Sequence, residues 1–416
     1  MPRHAILLAM LAAIAIPIAA DDDHPFPRHA TFTTVAITPL AIEGLTGDDL
    51  GNLFTTGRAA VPTRCPVYRI DTGGVRSEVG SIGNAAPGCN PSGIRRDRAG
   101  NFFIADANQG GVIWKLTAAD MNPASPFATG VPGTNGLAFD RRGNIWTGDG
   151  TTGQGRVWKV SPDGKTVTEM FRVQPMRNST ALGGTLAGDG VGRQARSFPP
   201  GTLTITVPPS ATNTVVTPAG GQDLVANGVD FDRNGDLIVA DTARGALWRV
   251  RFDSKGNVTS RTGCDASFTA NTLCLENVDV AHPLLEGTDG IFIDRAGNIW
   301  NAANERNAIV VVKRNEGHEG GEGGEGNEGA GGRVIEVFRN PLNAAGLRNA
   351  ADTADGNRHI LELPTSPFIN GDRLCVAQSD GNRRDNSPNS AGEVNQGGAV
   401  GARGKISCMD QSIDRD

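Results

Sequence analysis

The fold is decided by a short stretch that occurs five times and is clearest as Asn135-Gly-Leu-Ala-Phe-Asp-Arg-Arg-Gly143-Asn144. In each copy a polar residue is followed directly by Gly, and a second Gly lies eight residues after the polar residue. The polar residues are Glu43, Ser92, Asn135, Asn227 and Asp289, and the second glycines are Gly51, Gly100, Gly143, Gly235 and Gly297. Recurrence at a fixed spacing is typical of folds that repeat one supersecondary unit.

Each copy describes a strand, a tight turn and a second strand. The Asp-x-x-Gly-Asn turn supplies the positive φ of a hairpin, and an apolar run such as Asp236-Leu-Ile-Val-Ala follows it. A third strand carries Trp114, Trp158 or Trp248 at matching positions, and a fourth, such as Thr166–Arg172, completes the unit. Four antiparallel strands in one unit predict a propeller blade.

A sixth, diverged unit begins at Pro364-Thr-Ser-Pro-Phe-Ile-Asn-Gly371 and ends one strand short, with Gly404–Met409 as its third strand. The β-rich segment Thr31–Thr38 precedes the first unit and supplies the missing strand. The sequence therefore predicts an all-β protein, a six-bladed β-propeller of four-stranded antiparallel blades over residues 31–410, whose ring the N-terminal strand closes. The long interval between Gly143 and Gly235 has room for another blade, but residues 182–221 lack the template.

The flanking segments and insertions lie outside this repeat. Residues 1–20 contain Arg3 and an apolar run before Asp21, which predicts a signal peptide and export to the periplasm or the medium. Residues 21–30 are expected to be a flexible start, and residues 411–416 a short tail. Insertions 182–221 and 379–403 are expected on the face where first strands begin, and the Gly/Glu-rich tract 315–332 is expected to be disordered.

Composition excludes several classes of partner. The chain has 416 residues and a formal charge of −6, so it offers no electrostatic reason to bind nucleic acid or anionic lipid. No stretch after the signal approaches the roughly 20 apolar residues of a membrane span. We expect a monomer that acts on a small molecule.

The six cysteines favour three disulfides in an exported protein. Six cysteines allow about 15 connectivities, and the sequence does not choose among them. We expect each cysteine to pair with its neighbour in the chain, as Cys65 with Cys89, Cys264 with Cys274 and Cys375 with Cys408.

The strand leaders identify a family resemblance. Glu43-Gly, Asn227-Gly-Val-Asp-Phe, Asp289-Gly-Ile-Phe-Ile-Asp and Pro364-Thr-Ser-Pro-Phe-Ile-Asn-Gly resemble the gluconolactonase and regucalcin (senescence marker protein) family of six-bladed propellers. The resemblance runs over roughly residues 31 to 410, although its short motifs are shared with NHL-type propellers.

The resemblance implies a divalent cation at the mouth of the central channel, bound by Glu43, Asn227 and Asp289. It also implies that Asn135 contacts substrate or water. These residues belong to the set that the repeat selects independently, and near-symmetry directs them toward one axis. Oxygen donors with two carboxylates suit Ca²⁺ best, with Mg²⁺ or Mn²⁺ less favoured, and Zn²⁺ is disfavoured because the set has neither His nor Cys.

The implied function is a metal-dependent lactone or ester hydrolase. The cation would polarise the carbonyl, and the resemblance assigns Asp289 as the catalytic base that takes a proton from water. Asp241 ends a second strand on the same face and is a candidate near the metal or the substrate. Glu43-Gly44 is followed by Leu45 where the family has Pro, and the family's substrate-binding Arg has no counterpart.

Two other functions remain open. One is a non-catalytic NHL-like propeller that binds a glycan, peptide or protein on its loop face. The other, less favoured, is a condensing enzyme similar to strictosidine synthase, which shares the architecture. Metal-dependent release of acid from a lactone distinguishes the hydrolase from both.

Overall fold

The structure is a computed structural model. It describes residues 26–27, 30–58, 63–83, 88–108, 110–175, 224–285, 287–314, 332–339, 361, 363–379 and 404–413, apart from the single positions 265 and 267. The predicted signal peptide, nearly all of both insertions and nearly all of the Gly/Glu tract lie outside the described residues. In the described part, no helix is long and apolar enough to cross a membrane.

The described chain forms six antiparallel four-stranded sheets, which confirms the predicted propeller. Strands are given for each blade from the central channel outward. Blade 1 has Thr46–Gly47, Leu53–Thr56, Cys65–Ile70 and Arg76–Ile82. Blade 2 has Pro91–Arg96, Phe102–Asp106, Val112–Leu116 and Ala128–Thr129. Blade 3 has Thr134–Phe139, Ile145–Asp149, Arg156–Val160 and Val167–Arg172.

The remaining blades follow the same order. Blade 4 has Val229–Phe231, Leu237–Asp241, Ala246–Val250 and Val278–Ala281. Blade 5 has Thr288–Ile293, Ile299–Ala303, Ala308–Lys313 and Arg333–Arg339. Blade 6 has Pro364–Asn370, Arg373–Gln378, Gly404–Met409 and, from the N-terminus, Phe32–Thr38. Within the described ranges, three short 3₁₀ turns occur at Leu275–Asn277, Pro283–Leu285 and Asn304–Arg306.

The N-terminal strand closes the ring as predicted. Phe32 pairs with Met409 and Thr38 with Gly404, so this strand is the outer strand of blade 6. The chain before it is also packed, because Phe26 lies edge-on to Trp300 at 5.3 Å and Ala30 is buried. Both residues pack against the apolar surface of blades 5 and 6.

The turns and tryptophans explain why the template recurs. In blade 3 both carboxylate oxygens of Asp140 accept hydrogen bonds from Asn144, at 2.9 Å from the main chain and 2.7 Å from the side chain. The same carboxylate accepts a 3.0 Å bond from Trp146 Nε1, and Asp294 and Trp300 repeat this contact at 2.9 Å. In blades 3 and 5 the repeated spacing thus ties the first hairpin to its second strand.

Three disulfides join the cysteines in the neighbour pairing expected from the sequence, Cys65–Cys89, Cys264–Cys274 and Cys375–Cys408. Cys375 and Cys408 lie directly opposite each other on adjacent strands of blade 6. Disulfides of this kind are typical of oxidising compartments.

Candidate functional site

The polar residues of the template form a ring because each following glycine lies against the next blade. A Cβ on Gly44 would lie 2.3 Å from the Ser92 carbonyl oxygen, and one on Gly228 would lie 2.4 Å from the Asp289 carbonyl oxygen. Only Gly permits such an approach between neighbouring backbones. The order around the ring, below called the inner ring, is Glu43, Ser92, Asn135, Asn227, Asp289 and Thr365.

Thr365 is the sixth member and was missed by the sequence reasoning. Its Oγ1 donates a 2.7 Å hydrogen bond to the carbonyl oxygen of Glu43, which joins blade 6 to blade 1. The template spacing counted back from Gly371 indicates Leu363 instead. Blade 6 departs from that spacing because Asn370 and Arg373 pair across a two-residue turn.

β-Bulges place inner-ring residues out of the regular strand alternation. In blade 3, Thr134 pairs with Asp149 and Leu137 with Thr147, so Asn135 and the Gly after it lie opposite one residue. Blades 2 and 5 have the same irregularity at Ser92 and Asp289. Bulges commonly re-aim side chains beside functional sites.

Asn227 is fixed in one orientation by a chain of hydrogen bonds. The Thr242 hydroxyl donates to the carbonyl oxygen of Thr288 at 2.8 Å, so toward Asn227 it acts as an acceptor. The Asn227 Nδ2 group therefore faces Thr242, at 3.1 Å. Asn227 is only 2% exposed, and its Oδ1 is buried with no hydrogen-bond partner in the described part of the protein.

The other predicted residues are also buried. Asp289 accepts a 3.0 Å hydrogen bond at Oδ2 from Asn304 Nδ2. Asn135 lies against Gly150, where an added Cβ would lie 2.4 Å from Asn135 Nδ2. Ser92 Oγ donates to the Thr134 carbonyl oxygen at 3.1 Å, which agrees with a structural hydroxyl.

Residues just beyond the second strands form an outer ring around the inner one. Thr242 and Asn304 belong to it, and each contacts the inner-ring residue of its own blade. Ser379 donates a 2.8 Å hydrogen bond to the Ile42 carbonyl oxygen of the next blade, as Thr242 does to the Thr288 carbonyl oxygen. The full set is Arg58, Ala107, Gly150, Thr242, Asn304 and Ser379.

Arg58, the charged member of the outer ring, forms a salt bridge with the Glu43 carboxylate. The exposed fractions are 14% for the Arg58 side chain and 6% for that of Glu43. Sequence reasoning missed Arg58 because the outer ring has no residue type in common, so only the count of seven residues from Gly51 indicates it.

Comparison with known proteins supports the resemblance. Residues 202–321 match the model of the SMP-30/Gluconolactonase/LRE-like region. This region of the chain resembles the gluconolactonases. The predicted resemblance is thereby confirmed, and Asn227 and Asp289 both lie inside the matched segment. A search of curated proteins found no match.

Solved structures of similar shape include a luciferin-regenerating enzyme, with a TM-score of 0.50 and 12% identity over 91% of this chain and 95% of that one. A gluconolactonase from Xanthomonas campestris has a TM-score of 0.49 and 12% identity over 91% of this chain and 90% of that one. Regucalcin from Agrobacterium tumefaciens, a calcium-binding protein, has a TM-score of 0.48 and 16% identity over 93% of this chain and 97% of that one. At 12% identity the likeness to the luciferin-regenerating enzyme concerns the fold alone.

In this gluconolactonase-like propeller, the Asp241 carboxylate is held by Arg244 and Trp248 of its own blade. Its Oδ2 accepts hydrogen bonds from Arg244 at 2.7 Å and from Trp248 Nε1 at 2.9 Å. Burial raises the pKa of Asp241, and the Arg244 guanidinium opposes this shift. The same pattern holds Asp106, which accepts from Trp114 Nε1 at 3.2 Å. These contacts indicate a structural role for Asp241 in holding the end of its strand.

The channel is blocked below the inner ring. A cavity of about 30 Å³, lined by residues in or next to the first strands of the six blades, lies there and has room for about one water molecule. Arg95 of blade 2 donates to Asp230 Oδ2 of blade 4 at 3.1 Å, and its guanidinium lies over the Phe292 ring of blade 5 at 5.5 Å. Ile293 N of blade 5 donates to the same Asp230 oxygen at 3.0 Å. These contacts cross the axis and give the site a floor.

Proposed function

We propose that the protein is an exported, metal-dependent hydrolase of lactones or related esters, with a divalent cation bound by Glu43, Asn227 and Asp289. The observation that carries this proposal is Asn227 Oδ1, a buried acceptor without a partner among the described residues. Buried acceptors normally have a partner, and a cation is one that this ring suits. The family match over residues 202–321 supports the class of reaction.

The donor set fits a hard cation. Two carboxylates and an amide oxygen are ligands of the kind that Ca²⁺ prefers. The inner ring contains neither His nor Cys, so Zn²⁺ is disfavoured. The described cluster of Cys264, Cys274 and Glu276 is no alternative, because its two sulfurs form a disulfide. When bound, a divalent cation supplies Lewis-acid polarisation of a carbonyl oxygen.

The residues of the chain provide orientation and a base. Asn304 holds one oxygen of Asp289 through its amide nitrogen, which fixes the plane of the carboxylate. Asp289 is the carboxylate placed to accept a proton from the water that adds to the ester carbon. Asn135 lies between Ser92 and Asn227 in the ring, and its amide is the candidate contact for substrate oxygens.

A second candidate function is favoured by the Glu43–Arg58 salt bridge. This contact neutralises one of the two ring carboxylates without a cation. A non-catalytic propeller that binds a glycan, peptide or protein on this face accords with such pairing.

A pH-stat assay on a panel of lactones and simple esters tests the proposal, with and without chelator. We expect acid release that requires Ca²⁺ and falls at least about 100-fold in Asp289→Asn. Ser92→Ala is the matched control, because Ser92 occupies the same ring but bonds a main-chain oxygen.

Calorimetry with Ca²⁺ separates the two candidates. Cation binding without turnover of any panel member favours the binding propeller. Absence of cation binding in the wild type overturns the proposed metal site and the hydrolase with it.

A further inference from the structure

The Glu43–Arg58 salt bridge occurs at a ring position where the cation is proposed to bind. The role inferred below for Arg58 rests on the proposed function. The equivalent outer-ring residues Thr242 and Asn304 donate to or accept from their inner-ring partners as neutral groups. Arg58 instead brings a full positive charge to Glu43.

The position of Arg58 is built into blade 1. Its main-chain N donates to the Ala41 carbonyl oxygen at 2.8 Å. Its Nε donates to the Pro91 carbonyl oxygen of blade 2 at 3.3 Å. Ile42 and Gly57, the residues before Glu43 and Arg58, form a β-bridge. The main chain of Arg58 is therefore fixed beside Glu43, and its guanidinium contacts blade 2 as well as the carboxylate.

The charge of the ring follows from this placement. Glu43 and Asp289 contribute two negative charges, and Arg58 removes one of them. Both partners of the salt bridge are largely shielded from water, where charges interact more strongly than at an exposed surface. A cation that binds Glu43 must therefore displace the guanidinium from the carboxylate or share that carboxylate with it.

We propose that Arg58 is a displaceable counter-ion of Glu43 that competes with the cation and sets the cation affinity of the inner ring. With no cation bound, Arg58 keeps a buried carboxylate paired. With a cation bound, the interaction of Glu43 with Arg58 is weakened, and this loss lowers the affinity. The lowered affinity suits the high cation concentrations outside cells. Extracellular Ca²⁺-binding modules have dissociation constants on the order of 10⁻⁴–10⁻³ M.

Calorimetric titration of the full chain with Ca²⁺ tests this role. Arg58→Gln removes the charge, and we expect it to bind Ca²⁺ about tenfold or more tightly than the wild type. Arg58→Lys keeps the charge and is expected to stay near wild type. Arg156→Gln is the matched control, because Arg156 is 12% exposed and pairs with Asp149 rather than with a ring carboxylate; its affinity should be unchanged.

A thermal readout guards against loss of folding in Arg58→Gln. The apo variant should melt below wild type, because Glu43 loses its partner, and saturating Ca²⁺ should raise its melting temperature more than it raises that of wild type. Glu43→Gln in the Arg58→Gln background should lose the gain in affinity.

Equal or weaker Ca²⁺ binding by Arg58→Gln, with measurable binding by wild type, overturns the competition while leaving the metal site intact. No binding by either protein overturns the metal site itself and this role together.

Discussion

Thr365 Oγ1 donates a 2.7 Å hydrogen bond to the carbonyl oxygen of Glu43, although the two residues are 322 positions apart in the chain. The bond links the last inner-ring residue to the first. Glu43 is a proposed metal ligand, and its backbone is therefore held by blade 6, the blade that also contains the N-terminal strand. Ring closure and site geometry are thereby coupled.

Removal of this hydroxyl should destabilise the propeller. In Thr365→Val the Glu43 carbonyl oxygen loses its donor in a buried setting, at a cost of about 1–3 kcal/mol in the free energy of unfolding. Thr365→Ser keeps the hydroxyl and is expected to lose less. Urea unfolding measures both, and a Thr365→Val variant as stable as the wild type would show that the hydrogen bond contributes nothing to stability.

The orientation of Asn227 predicts a graded effect on cation binding. Asn227→Ala removes the unpartnered oxygen and should weaken Ca²⁺ binding by at least about tenfold in calorimetry. Thr242→Val removes the acceptor that fixes the amide, so the amide is free to rotate and a smaller loss is expected. A larger loss in Thr242→Val than in Asn227→Ala would contradict the assignment of Oδ1 as a ligand.

The channel floor predicts a contrast between two adjacent arginines. Arg95 and Asp230 are partly buried and join blades 2 and 4, so Arg95→Ala should lower the free energy of unfolding by about 2 kcal/mol. Arg96 pairs with Asp49, whose side chain is 94% exposed, so Arg96→Ala should cost about 0–1 kcal/mol. Similar losses in urea unfolding would argue against the cross-channel contact.

Tyr68 provides a pH test because it is the single tyrosine. Burial raises the pKa of Tyr68 to about 12 from 10.0, and the nearby Arg76 guanidinium opposes this shift. The folded state then holds the phenolic proton more tightly than the unfolded state, so the contribution is complete below pH 10.0 and is lost as pH rises toward about 12. Ultraviolet titration of the phenolate should give a midpoint near 12 in the folded protein, and a midpoint near 10 would refute the burial effect.

Five inner-ring residues were predictable because the template marks them in two ways. A polar residue before Gly and a second Gly eight residues later select Glu43, Ser92, Asn135, Asn227 and Asp289 without any coordinates. The close approach of neighbouring backbones requires that first Gly, which is why the mark is present in the sequence.

Thr365 and Arg58 show where this reasoning stops. The spacing to Thr365 changes because blade 6 uses a two-residue turn, whereas Phe139 and Ile145 of blade 3 enclose residues 140–144. Arg58 has no repeated residue type to mark it, since it contacts a side chain that differs from blade to blade.

The sequence by itself determined the number of blades, the strand that closes the ring and five of the six inner-ring positions, because backbone sterics and turn chemistry act locally and leave a repeated pattern. Only the tertiary structure decided that the Asn227 oxygen has no partner in the described part of the chain, that Arg58 neutralises Glu43 and that Arg95 closes the channel. Those contacts join side chains from different strands and blades, and their energies depend on burial and distances that no local pattern encodes.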